Sequence, residues 1–149
     1  MDFQFFPFTD LNIDILYKLL KLRQEVFIIE QNCIYLDIDD LDQQAIHVIG
    51  LDENANLLAY CRIFLFKENG IAKIGRVLVR EKQRSKGLGK DLMRESINFI
   101  KTKPFIEKIE IEAQSYLKDF YNSLNFIATT QEKYLLDAIP HIKMKLQIN

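Results

Sequence analysis

The chain has no tryptophan, three prolines and five glycines in 149 residues. So few breakers leave little room for linkers, and one domain spanning residues 1–149 is the expectation. Two cysteines, Cys33 and Cys61, are too few for the disulfide framework of a small secreted scaffold. No apolar run approaches the roughly 18 residues that span a bilayer. The start, Met1-Asp2-Phe3-Gln4, has no basic leader. A cytoplasmic protein with reduced thiols and no membrane partner is therefore expected. Charge of either sign is not in excess: 20 Lys and Arg face 21 Asp and Glu, a net charge of −1. Nothing broad would release counterions from a phosphate backbone, so no nucleic-acid partner is expected. No Cys/His spacing suggests a metal. What is present is an ordinary globular balance, 48% apolar and 28% charged, enough to bury a core.

Aromatic-rich Phe3 to Phe8 reads as a short strand. Ile13, Leu16, Leu19, Leu20 and Arg23 fall at helical spacing and continue to Val26 and Phe27, with Asn12 or Asp10 as cap. Residues 32–45 hold several Asp and no period, which reads as an acidic loop. Strands are expected at His47 to Leu51, Leu57 to Phe66 and Ile71 to Val79, the last two a hairpin. A basic loop, 80–87, leads into a helix from Leu88 to about Lys101 with Leu92, Met93, Ile97 and Ile100 inward. Lys108 to Ala113 alternates as a strand, Tyr116 to Leu124 is a short helix, and Phe126 to Thr130 and Ile139 to Gln147 close the chain as strands. The order predicts an α/β (α+β) domain: a mixed, mostly antiparallel sheet of about seven strands flanked by helices. Its 71–113 strand–helix–strand unit should be parallel.

The chemistry concentrates where Ile74-Gly75-Arg76-Val77-Leu78-Val79 runs into Arg84-Ser85-Lys86-Gly87-Leu88-Gly89. A helix N-terminus has unpaired N–H groups and partial positive charge. Glycines let an anion reach the backbone, and Arg80, Lys82, Arg84, Lys86 and Lys90 surround the same spot. This is an anion cradle. It is neither a P-loop nor the three-glycine dinucleotide fingerprint.

Arg84-Ser85-Lys86-Gly87-Leu88-Gly89 resembles the R/Q-x-x-G-x-G/A signature of the GNAT superfamily of acyl-CoA-dependent N-acetyltransferases, and the element order is similar over essentially the whole chain. Leu22-Arg23-Gln24-Glu25-Val26-Phe27, Ile74-Gly75-Arg76-Val77, Phe120-Tyr121 and Ile139-Pro140-His141-Ile142 look like the ElaA-like branch. The resemblance implies acetyl transfer from acetyl-CoA, as cosubstrate, to a small-molecule or peptide amine, by direct attack in a ternary complex. A homodimer is compatible with it. It implies that Val77, Leu78 and Val79 lend backbone groups to the pantetheine arm. Arg84, Ser85, Lys86, Gly87, Leu88 and Gly89 would hold the pyrophosphate, with Lys90 and Asn122 as further contacts. Tyr121 would protonate the leaving thiolate; the competing reading is a core tyrosine with a satisfied hydroxyl.

A base for the amine is harder to name. Glu110 and Glu112 share one strand face, Glu30 ends the first helix, His47 opens the second strand and His141 lies on the last. His141 and Glu112 are the catalytic choices, and Glu30, His47 and Arg76 the acceptor-binding ones. Arg76, inside an apolar strand, would meet a substrate carboxylate or else form a buried ion pair. The acidic loop would instead attract a cationic amine, unless it is simply solvated. The alternative to an enzyme is a module that binds acyl-CoA without turnover.

Overall fold

The computed structural model describes residues Met1–Asn149. Eight strands form one sheet: β1 (Asp2–Pro7), β2 (Ile46–Leu51), β3 (Leu57–Phe66), β4 (Ile71–Val79), β5 (Lys108–Gln114), β6 (Ile127–Ala128), β7 (Tyr134–Leu136) and β8 (Ile139–Gln147). Their order is β1-β2-β3-β4-β5-β8-β6, with β7 on the open end of β8. Three α-helices flank the sheet: α1 (Ile13–Arg23), α2 (Leu88–Lys101) and α3 (Lys118–Asn122). Every pairing is antiparallel except β4–β5.

The apolar periods place each helix. Asn12 caps α1 by accepting from the Ile15 N–H at 2.8 Å. Leu19 and Leu22 of α1 pack with Ile49, Tyr60 and Leu78 on one sheet face. Leu92, Met93, Ile97 and Ile100 of α2 pack on the other face with Cys61, Ile63, Ile109 and Ile111. Two elements depart from the sequence reading. After Arg23 the helix does not stay α: Gln24–Glu30 is a π-helix, a rare form that re-aims side chains. The expected strand over 126–130 shrinks to two residues, and β7, which is three residues long, was not expected.

One irregularity shapes everything functional. Tyr60 faces Leu78 but Arg62 faces Gly75, so β4 carries an extra residue opposite Cys61. In this bulge Arg76 takes φ +53°, a region sparsely used by a long side chain. Parallel pairing of β4 with β5 covers only Ile71–Lys73. Beyond it the strands part, leaving the Ile74–Val79 edge without a strand partner on that side.

Candidate active site

The parted strands open a cleft of about 1170 Å³ that runs from the start of α2 to the β7–β8 turn. At one end stands α2. Gly87, at φ +83°, is its N-cap and offers no side-chain hydrogen bond, so the first-turn N–H groups are uncapped. A Cβ built on Gly87 would meet nothing within 4 Å, and one on Gly89 would touch only the Phe120 ring and Val79 at 3.5 Å and beyond. The backbone here is open to an anion. Arg84 is anchored beside it, donating to the Val79 carbonyl at 2.9 Å and forming a two-pronged ion pair with Glu30. The hydrogen bond to the Glu30 carboxylate raises the already high pKa of the guanidinium.

Midway, Val77, Leu78 and Val79 present their free edge to the cleft, and Tyr121 of α3 reaches it from the α2 side. Tyr121 is 6% exposed, with its ring edge-on to Phe120 and Phe126. Burial pushes its phenol well above the usual range, with no hydrogen bond to offset it. The reading of a satisfied core hydroxyl therefore fails on its polar end: the ring is packed, but the hydroxyl has no protein partner.

The far end is built from β5, β8 and the segment after the π-helix. His141 lines the cleft, and its Nδ1 lies 2.7 Å from the Ile139 carbonyl. A carbonyl only accepts, so Nδ1 donates to it, and Nε2 has no protein partner. Glu112 lines the same end; neighbouring Glu110 is paired with Lys108 at 3.0 Å. The wall is closed by contacts far apart in sequence: the Cys33 thiol donates to the Asp137 carbonyl at 2.7 Å, and Gln114 donates to Gln31 at 3.2 Å. Cys33, Gln31, Tyr35 and Asp137 were not anticipated, because only the fold brings 31–35 to the β7–β8 turn.

The structure thus gathers Tyr121, His141, Glu112, Val77, Leu78, Val79, Arg84, Ser85, Gly87, Leu88, Gly89, Lys90, Arg76 and Glu30 around one cleft. Three expected residues lie elsewhere. Lys86 is exposed and bonds Gln83 at 3.1 Å. Asn122 is exposed and does not line the cleft. His47 is a correction: it is fully buried, receives the Tyr60 hydroxyl on Nδ1 at 2.8 Å and donates from Nε2 to the Asp42 carbonyl at 2.9 Å. Burial lowers its pKa, so it is a neutral structural histidine with both nitrogens used.

Arg76 and the acidic loop are corrected together. Arg23 bonds Asp37 and Asp42, Arg62 bonds Asp42 and Asp39, and Arg76 bonds Asp39 and Asp37. Three guanidiniums and three carboxylates alternate in a closed ring. Asp37 and Asp42 are 8% and 5% exposed, so the loop is packed rather than solvated. Arg76 lines the cleft but is paired within the protein: Asp37 holds it at 2.7 Å, which stabilises the bulge that parts the strands. The signal for the ring was in the sequence: single arginines inside apolar segments at 23, 62 and 76, against a run of Asp at 37–42.

A family model described as an acetyltransferase (GNAT) domain matches residues 18–148. The chain belongs to this family of acyl-CoA-dependent N-acyltransferases. It is 38% identical to ElaA of Escherichia coli over 143 residues, covering 94% of this chain and 92% of that one. It is 31% identical to a UPF0039 protein of Schizosaccharomyces pombe over 153 residues, covering 99% and 98%. A crystal structure of an acyl-CoA N-acyltransferase from Pseudomonas aeruginosa superposes with a TM-score of 0.88 at 34% identity, covering 97% of this chain and 99% of that one. The crystal structure of E. coli ElaA gives 0.88 at 36%, covering 97% of each. No group of three or more His, Cys, Asp or Glu is placed to hold a metal, and no helix is long and apolar enough to cross a membrane.

Proposed function

We propose that residues 1–149 form one N-acetyltransferase domain that moves the acetyl group of acetyl-CoA to a primary amine by direct attack within a ternary complex. The observation that carries this is the single cleft with an uncapped helix N-terminus at one end, a free strand edge and an unpartnered tyrosine hydroxyl midway, and a free imidazole nitrogen at the other.

The N–H groups of Gly87 to Gly89 and the Ser85 backbone receive the pyrophosphate, with Arg84 and the Lys90 side chain beside them. The free edge of Val77, Leu78 and Val79 orders the pantetheine amides. One N–H of that edge donates to the thioester oxygen as negative charge grows there, which is differential stabilisation of the transition state. His141 Nε2 takes the proton from the amine, and the Glu112 carboxylate faces the cationic nitrogen as it arrives. Tyr121 gives its proton to the departing sulfur, so the proton lost by nitrogen is balanced by one gained at the thiol. Neither Arg76 nor the acidic loop is left to select the acceptor, since each neutralises the other.

The test is thiol release from acetyl-CoA against a broad panel of primary amines, run beside a melting curve with and without acetyl-CoA. Amine-dependent thiol release is the expected result, together with a raised Tm. Saturation at 100 times the dissociation constant adds about 2.7 kcal/mol. A raised Tm with no release for any amine would point to a non-catalytic binder. An unmoved Tm at millimolar acetyl-CoA would overturn the cofactor reading itself.

A further inference from the structure

The basic loop that leads into α2 is thinly held. From Glu81 to Lys86 its backbone bonds stay local: the Gln83 N–H donates to the Arg80 carbonyl at 2.8 Å and the Arg84 N–H to that of Glu81 at 3.1 Å. The Lys86 ammonium turns back onto Gln83. Among these six residues Arg84 alone reaches beyond the loop. Its Nε donates to the Val79 carbonyl, and its two terminal nitrogens grip the Glu30 carboxylate, one of them at 2.9 Å. The loop is also bent into an unfavourable form. Ser85 takes φ +63° close to Gly87 at φ +83°, a region serine seldom adopts. Such a conformation persists where its surroundings hold it, and the contact that does so here is the pair Arg84–Glu30.

The π-helix is what brings Glu30 to the loop. Glu25 and Glu30 are five residues apart, about 1.4 turns of an α-helix, which would turn them to different sides. Bonding from i to i+5 closes that spacing to about one turn. Both carboxylates then face the loop: Glu25 meets Arg80 at 3.2 Å, and Glu30 meets Arg84. Val26 and Phe27 between them are buried and line the cleft. Glu30, expected to meet the acceptor, thus has both carboxylate oxygens committed to the segment that precedes α2.

We propose that Glu30 is a positioning residue for the coenzyme: by holding Arg84 it fixes the loop in the form that leaves the first turn of α2 open to the pyrophosphate. This rests on the coenzyme reading of the cradle above. Two effects of Glu30 oppose each other. Its negative charge disfavours a phosphate nearby, whereas its grip spares the loop the ordering that binding would otherwise demand. The charge is partly exposed and screened by salt. The grip is a pair of charge-assisted bonds on the one side chain that ties the loop down, so the grip is the larger effect.

The test is Glu30→Gln, with the dissociation constant of acetyl-CoA read by titration calorimetry. Hydrogen bonds between charged groups carry about a tenfold effect in binding, so acetyl-CoA should bind about tenfold more weakly. The amine KM and the kcat at saturating acetyl-CoA should hold. The Tm of the unliganded protein should hold too, because a partly exposed ion pair adds little stability. Glu81→Gln is the comparison: it removes an exposed carboxylate from the same loop without breaking an ion pair, and it should not weaken binding. On an Arg84→Gln background, adding Glu30→Gln should change nothing further. Unchanged or tighter acetyl-CoA binding by Glu30→Gln overturns the proposal. So does a loss that Glu81→Gln equals, or a double variant whose effects simply add. A raised amine KM with acetyl-CoA binding unmoved would return Glu30 to the acceptor. A wild type that binds no acetyl-CoA removes the coenzyme reading and the proposal with it; wild-type binding that Glu30→Gln leaves intact removes the role of Glu30 alone.

Discussion

Asp42→Asn is a sharp probe of the ionic ring. Asp42 is 5% exposed, and one of its oxygens accepts from both Arg23 and Arg62 at 2.8 Å. Arg23 is fully buried, and the Arg62 Nε already lacks a partner. The substitution keeps shape and one acceptor but leaves three guanidiniums against two carboxylates in a low-dielectric site. Breaking a buried pair from one side costs about 3 to 5 kcal/mol. The retained amide oxygen points to the lower end, about 3 kcal/mol, or roughly 6 to 12 °C of Tm for a domain of this size. Asp40→Asn is the control: Asp40 is exposed and at φ +60°, where Asn is at ease, so its effect should stay within about 0.5 kcal/mol. Urea melts of both variants followed by circular dichroism make the comparison. If Asp42→Asn costs no more than Asp40→Asn, the ring adds nothing to stability and its role in holding the bulge is wrong.

The remaining predictions follow from the same geometry. Burial would raise the Asp39 carboxyl, but Arg62 and Arg76 outweigh it and hold it at about 2. A folded-state pKa below the unfolded value of about 3.9 gives stability that is complete above about pH 5 and lost as pH falls through 2, worth about 2 kcal/mol; a Tm flat from pH 5 to pH 2 would contradict it. Gly89→Glu places a like charge on the anion cradle at a site whose Cβ meets only ordinary contacts, so the acetyl-CoA-dependent rise in Tm should vanish while the Tm of the protein alone is kept; a preserved rise would move the cradle elsewhere. Tyr121→Phe keeps the packing with Phe120 and Phe126 and removes the proton donor, so turnover should fall by at least about tenfold with acetyl-CoA affinity and Tm little changed. Unchanged turnover would leave Tyr121 a packing residue.

Most of the sheet was legible because its strands alternate or run apolar and its helices repeat at 3.6. The faces of α2 and the parallel β4–β5 joint followed from Leu92, Met93, Ile97 and Ile100 and from the strand–helix–strand order. Short elements escaped for a physical reason. β7 has three residues, too few for a period, and exists because Tyr134, Leu135 and Leu136 find open edge groups on β8. The π-helix at Gln24–Glu30 has the composition of an α-helix, and the local sequence does not distinguish them.

The end of the cleft where we propose the coenzyme binds was legible as an uncapped helix start because a backbone cradle is a local object: Gly87, Leu88 and Gly89 are adjacent in sequence and in space. The acceptor end is not local. It draws Cys33 to Asp137 and Gln31 to Gln114, across separations that no spacing rule spans. The charged residues there gave opposed hints, Arg76 for a carboxylate and Asp37 to Asp42 for a cation. The fold resolves the opposition by joining them. Each carboxylate of the ring bridges two arginines, so the set is neutral even where Arg62 and Arg76 line the cleft, and the charge left to face the proposed acceptor is that of Glu112 and the lysines of β4 and β8. The specificity of this cleft is accordingly to be sought on the β5–β8 face, while the ring fixes the backbone at Arg76 that makes the cleft exist.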